Sequence, residues 1–260
     1  MHLMKHSFIA EVRSYLLAAS AALLCVIVFP GCSDDDDDDI HVPPVAGLMT
    51  LNLAPDQAAV DITLSGNLLP GSPLPYLGYS GVYLNVYAAE RPVRTYSYLS
   101  GAEIAAATHD FMQDQYYSLF VMGANDHYRN LVVMDNFDSL ANAAASGNAY
   151  LRFVNAIPDS SKPAVTITKG DSAYIEAPAA FGTVSGFAAI PPGEVSIRAF
   201  SSTVDLSRNI TLEQSRIYTV LLTGVPGAAD DTRTQIRYVV NGMLTEEPGK
   251  QDSAAVANSF

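Results

Sequence analysis

Few side chains in this 260-residue chain have the types and spacing that chemistry needs. The only cysteines are Cys25 and Cys32, so residues beyond position 41 offer no thiolate nucleophile, no disulfide and no cysteine-held metal. Gly78-Tyr79-Ser80-Gly81 comes close to the G-x-S-x-G turn that exposes a hydrolase serine, but Val82 stands where the last glycine is required. Gly78 and Gly81 read instead as a bend or bulge in a strand. His109 and His127 are the only histidines beyond position 41. Each neighbours an acid, Asp110 or Asp126, with no third ligand at metal spacing. Glycoside hydrolysis needs two carboxylates facing each other about 5 to 10 Å apart. Nothing in the pattern sets Asp114, Glu176 or Glu213 apart for that role. The expectation is a protein that is not an enzyme, with no cofactor and no metal.

The tyrosines carry the one binding signal. The chain has 14 Tyr and no Trp. Tyr76, Tyr79, Tyr83, Tyr87, Tyr96 and Tyr98 crowd into residues 74–87 and 95–99. Alternate tyrosines on a strand make a flat amphipathic platform for a glycan or a protein partner. The competing reading has them lining a sheet edge or an interface between domains.

The N-terminus is an address. Lys5 and Arg13 precede the uncharged run Tyr15–Phe29, YLLAASAALLCVIVF. As a helix this run is about 22 Å long, short of a bilayer core and typical of a secretory signal peptide. It ends in Phe29-Pro30-Gly31-Cys32, which resembles a lipobox. That resemblance implies cleavage after Gly31 and acylation of Cys32, and two or three acyl chains anchor a protein stably. Asp34–Asp39 follow without interruption. A calcium loop needs alternating ligands and a glycine turn, so this run reads as a solvated spacer. Ser33-Asp34-Asp35-Asp36 also resembles the surface-export signal of Bacteroidetes lipoproteins, which implies display on the outer face of the outer membrane. The chain's net charge is −13. Such a surface repels phosphate backbones, so no nucleic acid is expected. The expected partners are the outer membrane, through the lipid anchor, and a glycan or protein.

The elements that must carry these residues come in two copies. LNLAPDQAAVDIT (51–63) aligns with VNAIPDSSKPAVTIT (154–168), matching Asn52, Pro55 and Asp56 to Asn155, Pro158 and Asp159. LGYSGV (77–82) aligns with FGTVSGF (181–187), VRTYS (93–97) with IRAFS (197–201), YYSLFVMG (116–123) with IYTVLLTG (217–224), and LVVMDN (131–136) with IRYVVN (236–241). Five collinear blocks mark a tandem duplication. The expected organisation is a signal peptide over 1–31, an acylated Asp-rich linker over 32–46, a first domain over 47–137, a linker with a short helical turn over 138–147, a second domain over 148–245 and a disordered tail over 246–260.

Each copy reads as β. Val165 and Ile167 alternate with Thr166 and Thr168, and Val195, Ile197 and Ala199 alternate with polar residues. IYTVLLTG is apolar on both faces, as a central strand between packed layers would be. Pro-Gly and Asn-Gly turns separate the runs. Six or seven strands per copy predict an all-β protein of two tandem antiparallel β-sandwich (Ig-like) domains. The alanine-rich GAEIAAATHDF (101–111) is read as strand or irregular. Asp56 and Asp159 are expected to hydrogen-bond the backbone that follows them as turn residues.

The blocks LRFVNAIPDSSKPAVTI, FGTVSGFAAIPPGEVSIR and YTVLLTG of the second copy resemble the domain of unknown function 4397 family (DUF4397). The first copy departs from that pattern, with Thr50 taken as the counterpart of Arg152 and Ser118 in place of Thr219. The resemblance implies a β-sandwich of extracytoplasmic proteins and lipoproteins, and it supplies no activity and no site residues. The sequence thus points to a non-enzymatic surface lipoprotein acting as a binding or structural module. The alternatives are a glycan-binding accessory of a polysaccharide uptake system, or a fimbrial or adhesin subunit with a donor segment such as 246–260.

Overall fold

The computed structural model describes residues 43–141, 146–159 and 161–244. The signal peptide, Cys32, the aspartate run and the tail 246–260 lie outside the described residues.

Nearly all the regular structure of the described residues is strand. The first copy runs β1 (Val45–Leu53), β2 (Ala59–Leu64), β3 (Asn67–Pro75), β4 (Leu84–Tyr87), β5 (Ala89–Ser97), β6 (Glu103–Phe111), β7 (Tyr116–Ala124) and β8 (His127–Met134). A short helix, α1 (Phe137–Ala141), follows. The second copy runs β9 (Ala149–Asn155), β10 (Ala164–Lys169), β11 (Ser172–Pro178), β12 (Ala188–Ile190), β13 (Gly193–Phe200), β14 (Asp205–Leu212), β15 (Arg216–Thr223) and β16 (Gln235–Met243). Each copy therefore has eight described strands, not six or seven. The alanine-rich stretch is the strand β6, paired with β5 along its length.

Each copy is a sandwich of two four-stranded sheets in the same order. The first copy pairs β4-β1-β7-β8 and β3-β2-β5-β6, and the second pairs β12-β9-β15-β16 and β11-β10-β13-β14. Pairing is antiparallel except for one parallel pair per copy, β1 with β7 and β9 with β15. A parallel neighbour cannot be reached by a tight hairpin, and the chain from β1 to β7 passes through all four strands of the opposite sheet and the edge strand β4.

The alternation expected from the sequence fills each core. Val60, Ile62, Val93, Tyr117, Leu119 and Val121 meet in the first sandwich. Val165, Ile167, Val195, Ile197, Val220 and Leu222 meet in the second. Two motif positions explain themselves in both copies. Asn52 donates to the Leu74 carbonyl and accepts the Ala54 amide, and Asn155 does the same with Ala179 and Ile157. Both asparagines are fully buried, so each ties the end of a central strand to the opposite sheet without leaving an unpaired group. Gly123 and Gly224 close β7 and β15 at positive φ, where a Cβ would strike the carbonyls of His127 and Arg233.

The turn reading of the aspartates holds in one copy. Asp159 accepts the Ser161 amide. Asp56 instead accepts the Asn125 amide and the Tyr128 hydroxyl, bracing the distant β7–β8 turn.

Candidate functional site

The central strands β1, β7, β9 and β15 are buried on both faces. One face covers the strand's own sandwich core. The other face builds a third core shared by the two copies, where Met49, Leu51, Leu53, Phe120 and Met122 pack with Val154, Ala156, Leu221 and Val239. This shared face, the seam, makes β4-β1-β7-β8 and β12-β9-β15-β16 the inner sheets. The apolar-on-both-faces pattern of YYSLFVMG and IYTVLLTG has this cause.

A charged network lies inside the seam. Arg152 projects from β9 and is 2% exposed. Its Nη2 lies 2.7 Å from Asp135 Oδ1 of the first copy and donates to Ser118 Oγ at 3.0 Å, while its Nε donates to Thr219 Oγ1 at 3.0 Å. Ser118 and Tyr83 both donate to Asp135 Oδ2, at 2.8 and 2.5 Å. Asn241 donates to the Tyr83 hydroxyl at 2.9 Å and accepts from Thr219 at 2.6 Å. The Arg152 guanidinium also lies over the Phe187 ring, 4.5 Å from its centre. A buried ion pair is sustained best when its other polar atoms are hydrogen-bonded; here Asp135 Oδ2 accepts from two hydroxyls, while Oδ1 faces only the Arg152 guanidinium and has no hydrogen bond of its own. Burial pushes the Tyr83 hydroxyl well above the usual tyrosine range, and the Asp135 carboxylate pushes the same way against Arg152. The network therefore holds Tyr83 as a neutral donor.

The seam's rim is polar. Tyr76 shares a hydrogen bond with Thr223 of the other copy at 3.1 Å. Arg129 crosses from β8 to donate to the Phe181 carbonyl at 2.9 Å, its guanidinium 4.4 Å above the Phe181 ring. Burial lowers the Arg129 pKa from its ordinary value.

The six candidate platform tyrosines do not share one face. Tyr76, Tyr79 and Tyr83 pack at the seam. Tyr87 is exposed on the edge strand β4. Tyr96 faces outward from β5, and Tyr98 is exposed just beyond it beside Leu99, which is 79% exposed.

Ser80 is a strap. It accepts the Thr50 amide and donates to the Val82 carbonyl. Ser185 does the same with the Phe153 amide and the Gly186 carbonyl. These matching straps make Thr50 the counterpart of Phe153, so the counterpart of Arg152 is Met49. The expectation of Thr50 in that place was one residue out of register. Strand pairing agrees, with Met49 opposite Ser118 and Arg152 opposite Thr219.

His109 packs edge-on against Phe111 and Tyr117, and its burial lowers its pKa against a smaller raising effect of Asp110. His127 is exposed at the start of β8. Asp114, Glu176 and Glu213 lie exposed on three separate segments: the β6–β7 turn, β11 and the β14–β15 turn. Among the described residues no group of three His, Cys, Asp or Glu side chains could hold a metal ion.

Sequence reasoning missed the network. Its one signal was Arg152 itself, a lone cation between the apolar Leu151 and Phe153 in a fully buried strand.

A family profile described as "Domain of unknown function (DUF4397)" matches residues 46–168 and 149–251. The chain belongs to the DUF4397 family. The two matches overlap at 149–168, and together they span both sandwiches of this DUF4397 protein. No curated protein matches it. Among solved structures it is similar to a family 41 carbohydrate-binding module from streptococcal virulence factors, described as recognising α-glucan. The identity is 10%, the TM-score 0.23, and the match covers 74% of this chain and 96% of that one. It is also similar to a candidate cell adhesion protein from Bacteroides eggerthii, at 10% identity and a TM-score of 0.24, over 77% of this chain and 97% of that one.

Proposed function

We propose that this DUF4397 protein is a non-enzymatic lipoprotein of the cell envelope, displayed on the outer face of the outer membrane as a binding or structural module. The observation that carries the reading is Phe29-Pro30-Gly31-Cys32 at the end of an apolar run, followed after Ser33 by six aspartates. Acyl chains on Cys32 supply the membrane affinity that a net charge of −13 otherwise opposes. The aspartate run then holds the body off the surface as a solvated spacer. Metabolic labelling with a radioactive fatty acid tests the anchor: wild type takes up label and Cys32→Ala does not. Equal labelling of the two overturns it. Protease added to intact cells tests the face, with loss of the body expected and full protection counting against display.

A second reading, a glycan-binding accessory of a polysaccharide uptake system, is favoured by the exposed aromatic rings of Tyr87 and Tyr98. Apolar ring faces of this kind suit the C–H faces of sugars. Retention on an immobilised glycan that is lost in Tyr98→Ala supports it, and no retention on any glycan of an array ends it.

A further inference from the structure

The contacts across the seam are reciprocal. In a two-fold interface, if residue i of one partner meets residue j of the other, then j of the first meets i of the second. The two copies obey this rule at the central clasp and at the rim. Arg152 of the second copy reaches Ser118 and Asp135 of the first. Its counterpart Met49 reaches back, its Sδ 3.9 Å from Asn241 Nδ2 of the second. The acceptors match as well: Met134 and Val240 stand opposite the matching Tyr117 and Tyr218, which sets Asp135 against Asn241, one residue off the register of the aligned blocks, and Ser118 donates to Asp135 as Thr219 donates to Asn241. At the rim, Arg129 (opposite Met122) grips Phe181, while Thr223, the counterpart of Met122, shares a hydrogen bond with Tyr76, the neighbour of Phe181's counterpart Leu77. Apolar strands cover the area between these points, with Leu51 and Phe120 on one side and Val154 and Leu221 on the other.

We infer that the inner sheet of each copy is a self-complementary dimerisation face whose partner is a second copy of the same domain, and that this chain is such a dimer joined in tandem. The linker sets the one-to-one ratio and is not what holds the halves together. The seam has diverged at one clasp: one side keeps an arginine and an aspartate, and the other has Met49 and Asn241.

The test uses the full chain with a protease site placed within residues 142–145. After cutting, size-exclusion chromatography in native buffer is expected to return both fragments in one peak at the mass of the uncut chain. Two separate peaks at micromolar concentration overturn the inference. A second arm tests the two-fold relation itself. Met49→Arg introduces a buried cation facing Asn241, and adding Asn241→Asp rebuilds the clasp on the opposite side. In cut protein, the halves of the double variant are expected to dissociate at least about ten-fold more slowly than those of Met49→Arg alone. Equal dissociation rates show that the two clasps are not equivalent, and they overturn the two-fold relation while leaving the first arm's result standing on its own.

Discussion

Arg152 and Asp135 face each other across the seam, one from each copy, with Nη2 2.7 Å from Oδ1 and side chains 2% and 0% exposed. No other ion pair among the described residues is so deeply buried. Arg94–Glu103 and Arg198–Asp205 lie on the outer sheets with side chains largely in solvent.

Arg152→Met is therefore expected to be costly. It leaves Asp135 with two hydroxyl donors and no cation, and breaking a buried pair typically costs about 3–5 kcal/mol. Adding Asp135→Asn removes the stranded charge and is expected to recover a substantial part of that loss. Urea unfolding of the wild type, both single variants and the double variant gives the coupling directly. Additive losses would show that the pair does not interact.

Tyr83 makes stability depend on alkaline pH. Its folded pKa is raised, with burial as the largest cause and Asp135 next. The unfolded chain ionises tyrosine near pH 10, and the folded chain resists. The stabilisation is thus complete below about pH 10 and falls as pH rises toward the folded pKa. Tyr83→Phe is expected to cost about 1–3 kcal/mol at pH 7, because Asp135 loses a donor and Asn241 an acceptor. The gap between variant and wild type should then narrow above about pH 10, since phenylalanine cannot ionise. A gap that stays constant to pH 11 in urea titrations refutes this account.

Gly182 gives Arg129 its place at the rim. It sits at positive φ, and a Cβ there would overlap the Arg129 guanidinium. Gly182→Ala is expected to destabilise through both strain and the clash. In an Arg129→Ala background only the strain remains, so the same substitution should cost less there. Equal losses of thermal stability in the two backgrounds would mean that Arg129 swings away freely.

The sandwich architecture was legible because it rests on local signals. Alternation in AVTIT and EVSIR placed the half-buried strands, and YTVLLTG announced a strand covered on both sides. What covered the second side was not legible. An apolar face carries no mark of its partner, and the duplication alone does not say that the copies meet face to face. The tyrosines misled for the same reason. Tyr76, Tyr79 and Tyr83 have the composition of a binding surface, and they bind the other half of their own chain. Arg152 was visible as a motif residue, yet its acid partner lies in the other copy, past the end of β8, where no local spacing points to it.

The seam also predicts how the copies unfold. Asn52 and Asn155 occupy matching buried positions, each with one donor and one acceptor contact. Asn52→Ala strands the Leu74 carbonyl and the Ala54 amide, and an unsatisfied buried group costs about 1–3 kcal/mol. Two independent sandwiches would confine that loss to the first copy. Here the third core and the Arg152 network belong to both copies at once, so opening one exposes the inner sheet of the other. Hydrogen exchange at the amides of Leu119 and Val220, in the middle of the two central strands, reads each copy separately. Asn52→Ala should lower protection at both amides by a similar factor, and Asn155→Ala should do the same. Loss at Leu119 alone after Asn52→Ala would show that the sandwiches unfold independently and that the seam does not couple them.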